Sequence, residues 1–119
     1  MNKALINKIV KLLDDKKATN ISVLDISGLT TIADCFIIAT GNSTNQVKAL
    51  CDHLEKELAK DGVRHDLKEG YNTANWILLD FGGVVVHIFY PETREFYKLE
   101  HVWSDAKDVD ISDVVEVRR

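Results

Sequence analysis

The chain has 119 residues, of which 45% are hydrophobic and 29% charged, and its formal net charge is −4. This length and composition predict one compact domain that folds without disulfides or metals. The acidic balance disfavours direct binding to RNA or DNA, which needs basic residues against phosphates, and it is compatible with a basic protein partner. The sequence has no apolar run of about 18 residues and no secretory signal pattern, so we expect neither a membrane span nor secretion.

The two cysteines lie in separate apolar segments and lack the C-x-x-C spacing. Cys35 and Cys51 are therefore predicted to be buried free thiols in a reducing, cytoplasmic compartment. The four histidines have no ligand-like spacing relative to these cysteines, and we expect no metal site and no cofactor.

The first part of the chain predicts one helix and two strands. Residues 2–17 place apolar side chains at helical spacing with lysines between them, and residues 20–26 are typical of a strand. Residues 35–40, CFIIAT, form an unbroken apolar run between turn residues. Such a run predicts a strand buried on both faces in the middle of a sheet.

A second helix is predicted over residues 44–60. Ser43 followed by Gln46 is a capping-box pattern at its start. The turn before it, TGNST, can be an ordinary capped helix start or, as the disfavoured alternative, an anion site for a nucleotide. A short strand is expected at residues 63–67, and strand, helix, strand predicts a right-handed crossover and a parallel pair with residues 35–40.

A polar loop over residues 68–75 leads into a predicted hairpin over residues 76–90, with Gly82 and Gly83 as a two-residue turn. Side chains alternate between the two faces of a strand. One face is entirely apolar and is predicted to be core: Ile77, Leu79, Phe81, Val84, Val86 and Ile88. The other face mixes polar and apolar side chains: Trp76, Leu78, Asp80, Val85, His87 and Phe89.

Three interpretations of the mixed face remain open. The rest of the chain can cover it, with Asp80 and His87 satisfying each other as diagonal neighbours. It can be exposed and dock a partner, since aromatic residues beside a few charges are typical of interface centres. It can also be catalytic, although an Asp–His pair needs a nucleophile that the sequence does not offer.

The remainder predicts one or two short helical turns from Pro91, followed by an acidic tail from Lys107 that is either a frayed end or an extra edge strand. We therefore predict an α/β fold with a mixed sheet of about five strands flanked by helices. The domain is expected to span residues 1–105 and the acidic tail residues 106–119.

Three stretches in the same order and spacing, DCFIIATGNSTNQV, EGYNTANWILLDFGGVVVHIF and REFYKLEHVW, closely resemble the ribosomal silencing factor family, also called Iojap-related. The resemblance covers about residues 3–105. It implies a non-enzymatic factor that docks on ribosomal protein fourteen of the large ribosomal subunit and sterically blocks joining of the small subunit. It also implies a nucleotidyltransferase-like fold, homodimers in some members, and a role in large-subunit assembly for organellar relatives.

Together, pattern and resemblance predict the residues that bind the partner. Trp76 is the first anchor, Leu78 and Phe89 extend the apolar patch, and Asp80 and Glu69 meet basic groups. Two more candidates, Tyr71 and Asn72, come from the loop before the hairpin. The prediction also includes His87, which lies beside Asp80. Three further candidates either touch the partner or, together with Glu100, hold the short helix on the sheet: Arg94, Tyr97 and Trp103. Two others are expected in the core: Phe96 and Leu99.

The sequence departs from the family pattern at Gly83, Asn75 and Val102, where an acidic residue, aspartate and leucine are usual. The first two departures remove negative charge beside the proposed docking face. A nucleotidyltransferase needs a Gly-Ser loop and two acids on the next strand. Here Asn42 stands in place of the serine and the region VRHDL carries only Asp66, so an enzyme of this kind is the disfavoured alternative.

Overall fold

The computed structural model describes residues 2–115. The elements are α1 (Lys3–Asp15), β1 (Thr19–Asp25), β2 (Cys35–Thr40), α2 (Thr44–Lys60), β3 (Leu67–Glu69), β4 (Trp76–Asp80), β5 (Val84–Phe89), α3 (Pro91–Tyr97), α4 (Leu99–Val102) and β6 (Lys107–Asp108). Within the described residues, no helix is long and apolar enough to cross a membrane. The end of the predicted acidic tail, residues 116–119, lies outside the described residues.

The strands form a single sheet in the order β3-β4-β5-β2-β1-β6. Among the described residues, β2 and β5 are the one parallel pair, and the other neighbours are antiparallel. The predicted mixed α/β fold is confirmed, and the part of the chain that the structure describes has six strands instead of about five. The additional strand comes from the tail, where Lys107 and Asp108 pair with β1, and Val109 beyond them packs against the core.

The prediction for β3 was wrong in position and in partner. The strand begins at Leu67, because the segment after α2 still caps the helix, with Val63 N donating to Leu58 O at 2.9 Å. It does not pair with β2, since β4 and β5 lie between them. The parallel partner of β2 is β5, which is buried on both faces and therefore takes the central position, whereas the partly exposed β3 suits an edge.

Local capping explains where α2 begins. The Ser43 hydroxyl accepts the Gln46 backbone N–H at 3.0 Å, and the Gln46 side chain accepts the N–H of Asn42. The first bond satisfies a donor that a helix start leaves free, and the second holds the residue before the N-cap against the first turn. The predicted start of this helix is confirmed.

Two apolar clusters cover the two faces of the sheet. The larger lies under α1 and α2 and contains both free cysteines, Cys35 and Cys51, which are buried as predicted. The second core cluster lies on the opposite face and consists of Leu24, Ile26, Ala33, Phe36, Ile38, Val85 and Phe89. Because β2 and β5 contribute to both clusters, every residue of Cys35–Thr40 is buried, as the sequence predicts.

The hairpin has the predicted register. Trp76 pairs with Phe89 and Leu78 with His87. Gly82 has φ 70° and Gly83 has φ 98°, a pair of left-handed conformations typical of the turn that joins strands of right-handed twist.

Candidate docking surface

The mixed face of the hairpin is covered over β5 and remains partly open over β4. Leu99 and Trp103 pack against the second core cluster, which spans β1, β2 and β5. Trp76 and Leu78 on β4 stay partly exposed at its margin. The interpretation in which the chain covers this face therefore holds for β5, and an open surface remains along β4 and β3.

Trp76 is half-buried and held from three sides. Its indole Nε1–H donates to His87 Nδ1 at 3.0 Å. Its ring centroid lies 4.8 Å from that of Phe89 and 5.0 Å from that of Tyr97. These contacts fix the orientation of the indole, so the exposed part of Trp76 is presented without a further loss of side-chain freedom.

His87 is only 3% exposed, and burial lowers its pKa to about 4. The imidazole is therefore neutral at physiological pH. Since Nδ1 accepts from Trp76, the ring proton lies on Nε2, which has no hydrogen-bond partner among the described residues. His87 is thus a support beneath Trp76, and its predicted contact with a partner is corrected to this indirect role.

Asp80 and His87 do not satisfy each other, as the covered-face interpretation supposed. Asp80 Oδ1 instead accepts the backbone N–H of Gly83 at 3.0 Å. An aspartate side chain is short and readily bonds the backbone of its own turn. No carboxylate orients the imidazole within the described residues, so the arrangement lacks the base-orienting pair that the catalytic interpretation requires.

The register of β3 extends this open surface to the sheet edge. Leu67 lies opposite Asp80 and Glu69 lies opposite Leu78, and directly opposed residues share one face of a sheet. Four predicted partner residues, Trp76, Leu78, Asp80 and Glu69, are thereby brought onto one face. Leu67, which is exposed, was missed because the strand was predicted to end at that residue.

Two phenylalanines have the opposite exposure to the one predicted. Phe89 was expected to extend the exposed patch but is 0% exposed beneath Trp76. Phe96 was expected in the core but is 79% exposed, with its ring centroid 5.1 Å from that of Tyr97, which is itself exposed. The reason is that α3 is only seven residues long, which is too short for apolar spacing to show which face is buried.

The two candidates from the loop before β4 do not join this surface as a group. Tyr71 donates its hydroxyl to Asp52 Oδ2 of α2 at 3.1 Å and packs against the larger core cluster, so it lies on the other face of the sheet. Lys68 lies over its ring, 4.2 Å from the centroid. Asn72 is exposed in the loop.

Arg94 joins α3 to the sheet. Its Nη1 donates to the backbone oxygen of Asn20 and to Thr40 Oγ1, both at 2.7 Å, and its Nη2 lies 2.6 Å from Glu100 Oε2. Trp103 packs on the second core cluster. Of the two roles that the sequence left open for these residues, the contacts support the structural one for Arg94 and Trp103.

An open groove of about 450 Å³ lies between α3 and the start of β4. We call it the aromatic groove, and it is lined by Thr73, Asn75, Trp76, Glu92, Thr93, Phe96 and Tyr97. Glu92 is the only one of these seven with a charged side chain at neutral pH.

A separate polar cluster lies on α2. Ligand atoms of Cys51, Asp52 and Glu55 are within 4.8 Å of one another. However, Lys68 Nζ is 2.8 Å and His65 Nε2 is 2.9 Å from the Glu55 carboxylate, so this acid already has a cationic partner. Burial raises the pKa of the Cys51 thiol to about 12, so the sulfur remains protonated and is a poor metal ligand.

The fold and the partly open aromatic face define a small single-sheet α/β domain, and sequence comparison places it in a family. The model of the family described as ribosomal silencing factor during starvation matches residues 1–119. A ribosomal silencing factor RsfS of Halalkalibacterium halodurans is 40% identical over 114 residues, 96% of this chain and 97% of that protein. The Bacillus subtilis protein of the same name is 39% identical over 112 residues, 93% and 95% of the two chains. The chain belongs to the ribosomal silencing factor family.

Solved structures agree with the fold. A crystal structure from Bacillus halodurans superposes with a TM-score of 0.82 at 38% identity, covering 92% of this chain and 99% of that one. Another from Chromobacterium violaceum gives 0.84 at 36% identity and covers 87% of each chain. A mouse protein named mitochondrial assembly of ribosomal large subunit protein 1 is 35% identical over 102 residues, 83% of this chain and 45% of that protein.

Proposed function

We propose that the chain is a cytoplasmic, non-enzymatic translational repressor. It binds ribosomal protein fourteen of the large ribosomal subunit and sterically blocks joining of the small subunit. Membership of the ribosomal silencing factor family supports this proposal. The structural observation that carries it is the partly exposed Trp76, with the exposed rings of Tyr97 and Phe96 beside it. Exposed aromatic side chains on a rigid base are typical of the residues that dominate binding energy.

The charges on this surface favour a basic partner. Glu69 and Asp80 lie on the open face of β3 and β4, and Glu92 lines the aromatic groove. Complementary charge increases the association rate and excludes wrongly charged partners more than it increases affinity. Binding is therefore expected to weaken as the salt concentration rises.

Co-sedimentation with isolated large subunits tests the proposal. Trp76→Ala and Phe96→Ala are both expected to weaken binding by about 2 kcal/mol, roughly 30-fold. Phe96→Ala is the cleaner variant, because its side chain is 79% exposed and contributes little to folding. Trp76→Ala leaves His87 Nδ1 without its donor, so its urea unfolding must be measured alongside.

Val102→Ala provides the matched control, since Val102 is an exposed apolar residue of α4 outside the aromatic groove. It should sediment with large subunits as the unaltered chain does. Unchanged binding by both folded aromatic variants would contradict the proposed docking surface.

A second candidate, assembly of the large subunit, is favoured by the name of the mouse relative. It would use the same surface and differ in timing. Removal of a silencing factor should raise the fraction of joined ribosomes in starved cells, whereas removal of an assembly factor should cause large-subunit precursors to accumulate. A homodimer closed over the same surface, also part of this proposal, would dissociate when large subunits are added in analytical ultracentrifugation.

A further inference from the structure

The aromatic groove combines three ring systems with one acid. The centroids of Trp76 and Tyr97 are 5.0 Å apart at an interplanar angle of 50°, and those of Tyr97 and Phe96 are 5.1 Å apart at 86°. Rings inclined in this way form walls around a space instead of a single stacked column. The faces of such rings carry partial negative charge, which attracts cations.

Glu92 adds a full negative charge to these walls. Within residues 2–115 its carboxylate has no salt bridge, whereas Glu95 on the same helix and Glu100 on α4 each have one. The larger cleft on the other side of α3 is lined by three residues of basic type, Arg94, Lys98 and His101. The aromatic groove is lined by no basic side chain, so no cation inside the groove neutralises the carboxylate of Glu92.

We propose that the aromatic groove accommodates one arginine side chain of the partner protein. The guanidinium stacks on the indole of Trp76 and the ring of Tyr97 and donates hydrogen bonds to the Glu92 carboxylate. This inference rests on the proposed function and adds the chemical group that is recognised.

Arginine fits the groove better than other side chains. Its planar guanidinium stacks on aromatic faces and matches a carboxylate with two parallel donors, whereas the lysine ammonium is a compact and more strongly hydrated point charge. An apolar side chain would remove water from Glu92 without replacing its hydrogen bonds, which is unfavourable. A phosphate or another anion would be repelled by the same carboxylate.

The first test does not require ribosomes. Short peptides with blocked ends and one arginine, lysine or citrulline among neutral residues are titrated into the protein while the indole N–H signals are recorded by NMR. The arginine peptide should shift the Trp76 signal with millimolar affinity, leave the Trp103 signal in place, and bind at least about fivefold more tightly than the neutral citrulline peptide. Equal binding of the citrulline or lysine peptide, or no binding of the arginine peptide, would overturn the inference.

The second test uses isolated large subunits and two matched variants. Glu92→Gln should weaken binding by about tenfold, whereas Glu95→Gln, on the same helix with an 83% exposed side chain outside the groove, should not. Because Glu92 lies in the first turn of α3, where an acid stabilises a helix, the urea midpoints of both variants are compared.

The outcomes separate the two proposals. If the unaltered chain binds large subunits and Glu92→Gln binds equally well, the arginine assignment is wrong and the proposed function stands. If the unaltered chain does not bind large subunits, the proposed function fails, and the peptide titration alone decides whether the aromatic groove recognises arginine.

Discussion

His87 shows how a buried side chain can support a surface that it does not itself form. Its Nδ1 accepts the indole N–H of Trp76, and the surrounding apolar residues keep the ring neutral. A proton on Nδ1 would remove this acceptor and place a charge in an apolar cluster. The orientation of Trp76 therefore depends on the protonation state of His87.

This dependence predicts how stability changes with pH. The folded pKa of His87 is about 4, below its ordinary value of 6.5, so between these values the unfolded chain binds more protons than the folded one. The stabilisation is complete above about pH 6.5 and is lost as pH falls toward 4, by about 1.4 kcal/mol for each pH unit. Urea unfolding at pH 7 and pH 5 should show a loss of about 2 kcal/mol.

His87→Asn is the control for this measurement. Asparagine can place an acceptor near the position of Nδ1 but does not titrate, so the variant should lose much less stability between pH 7 and pH 5. Equal losses in both proteins would show that carboxylates and not His87 account for the pH dependence.

Gly83, where the resemblance led us to expect an acidic residue, lies close to the carboxylate of Asp34. A Cβ atom at this position would be 3.2 Å from Asp34 Oδ2, and the φ of 98° is unfavourable for other residues. Gly83→Asp is therefore expected to lower the free energy of unfolding by about 1–2 kcal/mol. Gly83→Asn imposes a similar backbone strain without the charge, so it should be less destabilising at neutral pH. Equal urea midpoints for the two variants would rule out repulsion by Asp34.

At the level of single residues, the sequence predicted part of the site. Alternation in the hairpin placed Trp76, Leu78 and Asp80 on one face, and this was correct. Alternation cannot show that a later segment covers Phe89, because the covering residues lie beyond the hairpin in the chain. Nor can it give the exposure of Phe96, since a helix of seven residues has less than two full turns of pattern.

At the level of elements, the aromatic groove depends on how α3 is attached. This helix has no buried residues, and Arg94 joins it to Asn20 and Thr40 of the sheet. Charged hydrogen bonds at a largely buried guanidinium are stronger than those of exposed groups. The position of Phe96 and Tyr97 thus depends on an arginine that lies outside the aromatic groove.

Arg94→Leu is expected to destabilise the domain by about 3 kcal/mol, because three acceptors lose their donor, and Arg94→Lys by less. Both should also weaken binding to large subunits, as the helix that lines the groove is released. Denaturant unfolding and co-sedimentation measure the two effects. His101→Gln, an exposed change in the cleft that Arg94 also lines, should alter neither. A fully stable Arg94→Leu variant would contradict the anchoring role.

The order of the strands was the least predictable feature at this scale. Residues 35–40 and the hairpin were recognisable from their own composition, because each is continuous in the chain. Which strand pairs with β2 is decided by competition for the buried centre of the sheet. The continuously apolar β5 occupies that position, and the shorter β3, with Lys68 and Glu69, lies at the edge.

At the level of the whole molecule, the dimensions of the domain are compatible with the proposed steric block of subunit joining. The domain measures 34 × 34 × 31 Å. If the domain is attached through the face that carries Trp76, it extends about 30 Å from the partner, with α1 and α2 on the far side of the sheet. A second large particle cannot approach that part of the surface while the domain is bound. The proposed steric action would need no bond chemistry and no nucleotide.

The most direct measurement is a subunit-joining assay on a sucrose gradient. Isolated small and large subunits are mixed with the purified chain in the absence of nucleotide, and the fraction of joined ribosomes is determined. The unaltered chain and Glu95→Gln should lower this fraction, whereas Phe96→Ala should leave it near the value without the protein. An unchanged fraction with the unaltered chain, or a decrease that strictly requires nucleotide, would contradict silencing by steric exclusion.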